Sequence, residues 1–140
     1  MKFTIHNGSD EIPRLAERVA TFLAEQGVPA GAVVTTNLCL EELLTNTIKY
    51  GYRDDERHEI CVDIKLQDGE LIIELVDDAA PFDPTQEAPA PKLDASIEER
   101  HVGGLGVHLV KKFTDSMHYT RRQHRNRLTL RKRLDRDPQG

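Results

Sequence analysis

Two alternating runs joined by a turn dipeptide limit the folds open to this chain more than any other feature. Ile60, Val62, Ile64 and Leu66 alternate with polar or small residues, Asp68-Gly69 follows, and residues 71–76 run back as Leu-Ile-Ile-Glu-Leu-Val. A period of two puts alternate side chains on one face of a strand. Asp-Gly supplies the left-handed pair that a two-residue hairpin turn requires. The chain must therefore contain an antiparallel ladder with an apolar face, and that face needs a cover.

The cover is legible too. Ile12, Leu15, Val19, Phe22 and Leu23 form one helical stripe after Ser9 or Asp10 as a cap, and the stripe stops at Gly27. A longer helix is expected from residues 29–31 to Tyr50, with Gly51 as its left-handed C-terminal residue. Residues 81–100 carry Pro81, Pro84, Pro89 and Pro91 among alternating charges, which argues for a loop with no core of its own. A loop of that length inside a compact domain usually serves as a lid or binding loop. Gly103-Gly104-Leu105-Gly106 then opens a third helix to about Thr114, and residues 117–123 and 127–134 read as a closing hairpin. With Phe3-Thr4-Ile5 as a first short strand, the order predicts an α+β fold. It is a two-layer α/β sandwich, a mixed and mostly antiparallel sheet covered by helices on one face, in a single domain over 1–140.

Composition agrees with one ordinary domain. The chain has 140 residues, a net charge of −5 and a pI near 5.7, and a chain this long buries roughly two-thirds of its extended surface on folding. No charged-then-apolar leader or membrane-length apolar run is present, so a soluble, cytoplasmic protein with no membrane partner is expected. Cys39 and Cys61 lack metal-ligand spacing and read as reduced structural thiols. Charge is uneven: residues 1–100 hold 9 Lys or Arg against 21 Asp or Glu, and residues 101–140 hold 10 against 3. The basic run has no aromatic interleaving except Tyr119, and alternation places Arg127, Thr129, Arg131 and Arg133 on one solvated face. No nucleic-acid partner is expected; docking on an acidic protein is the more natural use.

Three segments carry chemistry. Glu42, Asn46 and Lys49 stand at i, i+4 and i+7, so they share one helix face and span roughly 10 Å. A carboxylate, an amide and an ammonium in one line make a poor core. They suit a site that activates a hydroxyl, holds a hydrated cation and neutralises phosphate. Next, an apolar strand runs into Asp77-Asp78-Ala79-Ala80-Pro81-Phe82-Asp83-Pro84. A carboxylate at a strand end can accept a hydrogen bond from an exocyclic amine, although alone this segment reads more simply as a turn with solvated Asp. Third, the glycines at 103, 104 and 106 let backbone N–H groups approach an anion at a helix N-terminus.

In this order, Glu-x-x-x-Asn-x-x-Lys-Tyr, strand-Asp-x-small with Pro-Phe-Asp-Pro, and Gly-Gly-x-Gly before a hairpin resemble the ATP-binding domain of the GHKL superfamily. Gyrase-type topoisomerases, a heat-shock chaperone, sensor histidine kinases and mismatch-repair ATPases share it. Within it the chain most resembles the stand-alone anti-sigma-factor serine/threonine protein kinases of partner-switching systems. The resemblance implies Glu42 as general base, Asn46 as a ligand of Mg²⁺, and Lys49 and Tyr50 near the nucleotide. It implies Asp77 as acceptor for the adenine amine, and an ATP contact at Ala79. Gly103, Gly104, Leu105 and Gly106 would cradle phosphates, Arg100 would reach the terminal phosphate, and residues 84–102 would form the lid.

Ala79 departs from a usual glycine, so its methyl would crowd the base or forbid a positive φ; Asn126 stands where related kinases often place Thr. The implied cofactors are ATP and Mg²⁺. The implied partners are an anti-sigma-factor antagonist carrying the acceptor serine, a sigma factor or comparable target, and a second copy in a homodimer. A non-catalytic ATP-dependent binding module, and a detached histidine-kinase catalytic domain, remain alternatives.

Overall fold

The computed structural model describes residues 1–86 and 104–134. Five strands, β1 (Lys2–His6), β2 (Glu59–Gln67), β3 (Glu70–Asp77), β4 (Ser116–Arg122) and β5 (Arg125–Arg133), make one sheet in the order β1-β2-β3-β5-β4. Every pairing among the described residues is antiparallel. The sheet is thus fully antiparallel rather than mixed: β5 inserts beside β3, and β4, which runs parallel to β3, is kept off it. Three helices, α1 (Glu11–Glu25), α2 (Ala30–Tyr50) and α3 (Gly104–Phe113), complete the described fold. The expected α+β sandwich is present.

The first turn forms as its sequence requires, with Asp68 at φ 54° and Gly69 at φ 76°. The second hairpin turns on Gln123 and His124, both also at positive φ, without glycine. Strand pairing therefore imposes a conformation that neither residue favours by itself.

The inner face of the sheet is apolar and sealed. Phe3, Ile5, Ile60, Val62, Ile64, Leu71, Ile73, Leu75, Leu128 and Leu130 are buried against Leu15, Val19 and Leu23 of α1 and Leu40, Leu43 and Leu44 of α2. Burial of each such side chain contributes about 1.5–3 kcal/mol. α2 packs between α1 and α3, with Val107 and Val110 of α3 buried. The outer face carries the charges: Arg127 binds Glu74 at 2.6 Å and Arg131 binds Glu70 at 2.8 Å, which pairs part of the basic run within the sheet.

Two local expectations are corrected. Asp10 occupies the α1 N-cap without a side-chain cap bond, because it is itself helical at φ −68°, ψ −16°. Gly51 is not left-handed: its φ is −87° and its ψ −21°. Glycine is needed there for closeness, since a Cβ would lie 2.5 Å from the Thr47 carbonyl oxygen and 2.7 Å from the Ala79 methyl. Both cysteines are free, Cys39 buried and Cys61 exposed. Burial, and secondarily the charge of Glu42, push the Cys39 thiol up to about 11.

Candidate nucleotide site

A cleft of about 320 Å³ opens between the C-terminal half of α2 and the ends of β3 and β5, large enough for a small-molecule ring system. Leu43, Asn46, Thr47 and Tyr50 of α2 form one wall, and Leu75, Asp77, Tyr119, Asn126 and Leu128 of the sheet form the other. Ala79, Ala80, Phe82 and Pro84 close the rim. The Asp83 carboxylate accepts from the Thr85 backbone N–H at 2.9 Å and shapes the turn after Pro84. The Pro-Phe-Asp-Pro segment thus builds the mouth of the cleft.

The acidic end of β3 is buried rather than solvated. Asp77 is 8% exposed and Asn126 7%. They are cross-strand partners, and Arg121 of β4 pairs with Asn126 on its far side. Asp77 Oδ1 accepts from the Ala79 backbone N–H at 3.0 Å and from Asn126 Nδ2 at 2.8 Å. The same Nδ2 approaches the carbonyl oxygens of Ala79 and Ala80, each at 3.1 Å. Asn126 Oδ1 accepts from the Tyr119 hydroxyl and from Arg121 Nη1. Burial raises the Asp77 carboxyl above the ordinary 3.8, opposed by the bonds from Asn126 and Ala79 and the charge of Arg121, while the Asp78 charge adds to the rise.

Behind this end lies a second bonded group. His58 Nδ1 meets Asp78 Oδ2 at 3.0 Å, and Nε2 meets Asp54 Oδ1 at 2.7 Å. The Tyr52 ring stacks on the imidazole at 4.2 Å between centroids. The bonds to Asp54 and Asp78 raise His58 above its ordinary 6.5. This group ties the segment after α2 to the segment after β3.

The helix stripe divides in two. At 100° per residue, positions 43, 46, 47 and 50 face the cleft, while 42 and 49 lie on the flank toward α3. Asn46 belongs to both. Its amide nitrogen is sealed from solvent and has no hydrogen-bond partner among the described residues. Lys49 is exposed, and neither it nor Glu42 forms part of the cleft wall. Glu42 leans instead on the first turn of α3, where a Cβ on Gly106 would overlap its carboxylate. Gly104 and Leu105 form the start of that turn. Tyr50 is 53% exposed at the mouth.

Ala79 is buried and lines the cleft. Its φ is not positive, so the methyl imposes no backbone strain. Arg100, Gly103 and nearly all of the expected lid, residues 87–102, lie outside the described residues.

Sequence reading missed Tyr119, Arg121 and Arg53, the last on the cleft rim. Tyr119 and Arg121 become visible only through the β4–β5 register, and Arg53 bears no motif.

Comparison with known proteins identifies the family. Residues 7–132 match the family model described as histidine kinase-like ATPase domain. The serine/threonine-protein kinase BtrW of Bordetella bronchiseptica is 31% identical over 96 residues, covering 69% of this chain and 67% of that protein. An anti-sigma F factor of Oceanobacillus iheyensis is 27% identical over 99 residues, covering 71% and 67%. Among solved structures, the RsbU and RsbW domains of Rv1364c from Mycobacterium tuberculosis superpose with a TM-score of 0.64 at 14% identity. That match covers 98% of this chain and 33% of the other, so the chain spans a third of that protein's length. The chain belongs to the histidine kinase-like ATPase domain family, among relatives named as anti-sigma factors and serine kinases.

Proposed function

We propose that the chain is an anti-sigma-type serine/threonine protein kinase. It binds Mg-ATP, transfers phosphate to a serine of a small antagonist protein, and sequesters a sigma factor or comparable target. The observation that carries this reading is the polar floor of the cleft, Asp77 held by Asn126 and Ala79, one helix stripe away from Glu42. A buried carboxylate lining a largely apolar cleft selects a base with an amine on its edge. The family match makes ATP the natural occupant.

In this reading the purine enters between Leu43, Leu75 and Leu128, with Asp77 accepting from its amine. The phosphates extend along the α2 flank toward α3. There the first-turn N–H groups at Gly104, Leu105 and Gly106, and the Lys49 ammonium, offset their charge. Asn46, on the α2 face between the cleft and that flank, would hold Mg²⁺ through its carboxamide oxygen, because this ion takes oxygen donors and keeps several waters. Bound there, Mg²⁺ would draw charge from the phosphate oxygens. Glu42 takes the proton from the attacking serine hydroxyl, and the rest of catalysis is positioning. Arg100 is assigned to the terminal phosphate, Gly103 to the phosphate cradle, and residues 84–102 to the lid. A homodimer in the cytoplasm is the expected working form.

The test is phosphate transfer from radiolabelled ATP to the candidate antagonist. Wild type should label the antagonist with acid-stable phosphate, which excludes phosphohistidine. Glu42→Ala should slow transfer by ~10²–10⁴-fold while its ATP affinity stays within about threefold. Equal transfer by Glu42→Ala would sink the base assignment, and no transfer by wild type would leave a nucleotide-dependent binding module.

A further inference from the structure

The Asn126 side chain has no freedom to choose its orientation. On one side stand three acceptors, Asp77 Oδ1 and the carbonyl oxygens of Ala79 and Ala80, at 2.8, 3.1 and 3.1 Å. On the other stand two donors, the Tyr119 hydroxyl and Arg121 Nη1. A flipped carboxamide would set oxygen against three oxygens and NH₂ against two donors, so only one orientation satisfies the inventory. Arg121 Nη1 also donates to the Ala79 carbonyl oxygen at 3.0 Å, which holds the strand end from a second point.

The consequence falls on Asp77. Its Oδ1 takes both protein donors, Asn126 Nδ2 and the Ala79 N–H, and no bond to Oδ2 is made among the described residues. A carboxylate pinned at one oxygen presents the other in a single direction, and an ionised oxygen is acceptor-only. It will bind an amine on a base edge and repel a carbonyl oxygen there. Without the pin the carboxylate rotates about its last torsion, and the directional preference is lost with the order.

We infer that Asn126, gripped by Tyr119 and Arg121, is a positioning residue for base selection, and that preference for an amine-bearing purine belongs to this network rather than to Asp77 alone. The inference rests on the proposed nucleotide site. It assigns to Tyr119, on the cleft wall, and to Arg121, behind it, a role exerted through Asn126.

The experiment compares three ligands on the full chain by direct titration. They are ATP, GTP, and the purine riboside triphosphate that lacks the 6-amino group. Wild type should bind ATP at least ~10-fold more tightly than either of the others, as one charge-assisted hydrogen bond implies. Asn126→Leu should bring that ratio to about threefold or less while leaving purine riboside triphosphate affinity within about threefold. A merely structural role would weaken all three ligands together. Tyr119→Phe combined with Arg121→Met keeps Asn126 but removes its grip, and should lower the ratio at least ~3-fold. That double variant decides the matter if Asn126→Leu does not fold. Unchanged discrimination in folded variants overturns the role of Asn126 alone. Wild type that binds none of the three overturns the nucleotide-site reading, and this inference with it.

Discussion

The two ends of the site are built by opposite rules. At the base end, Asp77 Oδ1, Asn126, Tyr119, Arg121 and the Ala79 backbone bond one another within the protein, with Asp77 Oδ2 left open among the described residues. At the flank toward α3, Asn46 keeps a buried amide nitrogen without a partner among the described residues, Lys49 is exposed, and Glu42 rests against a glycine. A satisfied polar network in a low-dielectric setting is rigid and specific. An unsatisfied one waits for something to bind. In the proposed reading, recognition of the base is organised by the protein's own bonds, while the phosphate end offers groups still open to a ligand.

This contrast can be broken most sharply at Asp77. Asp77→Asn keeps an oxygen for the Ala79 N–H and Asn126 but removes the charge offered to a base amine. ATP affinity should fall ~30-fold or more. Because burial raises the Asp77 carboxyl above its ordinary value, its ionised form costs the fold stability, and that cost is absent below the unfolded value and grows as pH rises. The variant should therefore melt no lower than wild type at neutral pH. A large drop in melting temperature would mean that the carboxylate supports the fold rather than the ligand.

A smaller effect is expected at the reactive end. Gly106→Ala forces Glu42 off the first turn of α3, so phosphate transfer should drop by about tenfold while discrimination between ATP and GTP survives, because misplacing a reacting group slows the chemical step. Loss of discrimination in this variant would show the two ends to be coupled rather than separately built.

The smallest effect belongs to the group behind the base end. His58 is raised by its bonds to Asp54 and Asp78, so its contribution to stability is full below the ordinary 6.5 and is lost as pH rises through the raised value. Asp54 is lowered, chiefly by the His58 hydrogen bond. At Asp78 burial pushes upward, but the His58 bond and charge carry the net shift down. The carboxylate share is thus present above the ordinary 3.8 and is lost as pH falls through the lowered values. Thermal melts of wild type and His58→Gln should differ most near pH ~5–6 and converge above pH ~8. A difference that stays constant across that range would identify the His58 contribution as packing on Tyr52.

Legibility followed the range of the interactions. The 60–66 and 71–76 runs with Asp68-Gly69 announced their hairpin because alternation and turn chemistry are local. The α1 stripe was equally plain, and β5 began at Arg125 only slightly before its expected start. The reason for glycine at 51 is close approach to the Thr47 carbonyl oxygen and to Ala79, the latter remote in sequence and invisible to local turn chemistry. Lys49 was grouped with Asn46 by helical spacing alone, and only the position of the sheet shows which side of α2 faces the cleft.

The sequence alone determined the fold class, the family, and the identity of the polar groups that could do chemistry, since each is written in local pattern and short motifs. The tertiary structure decided how those groups combine. Asp77 meets Asn126 only because β5 enters the sheet beside β3 in one register, and Arg121 joins them only because β4 pairs outside β5. Register is set by burying one whole face of the sheet, a sum over many distant contacts that no single segment encodes.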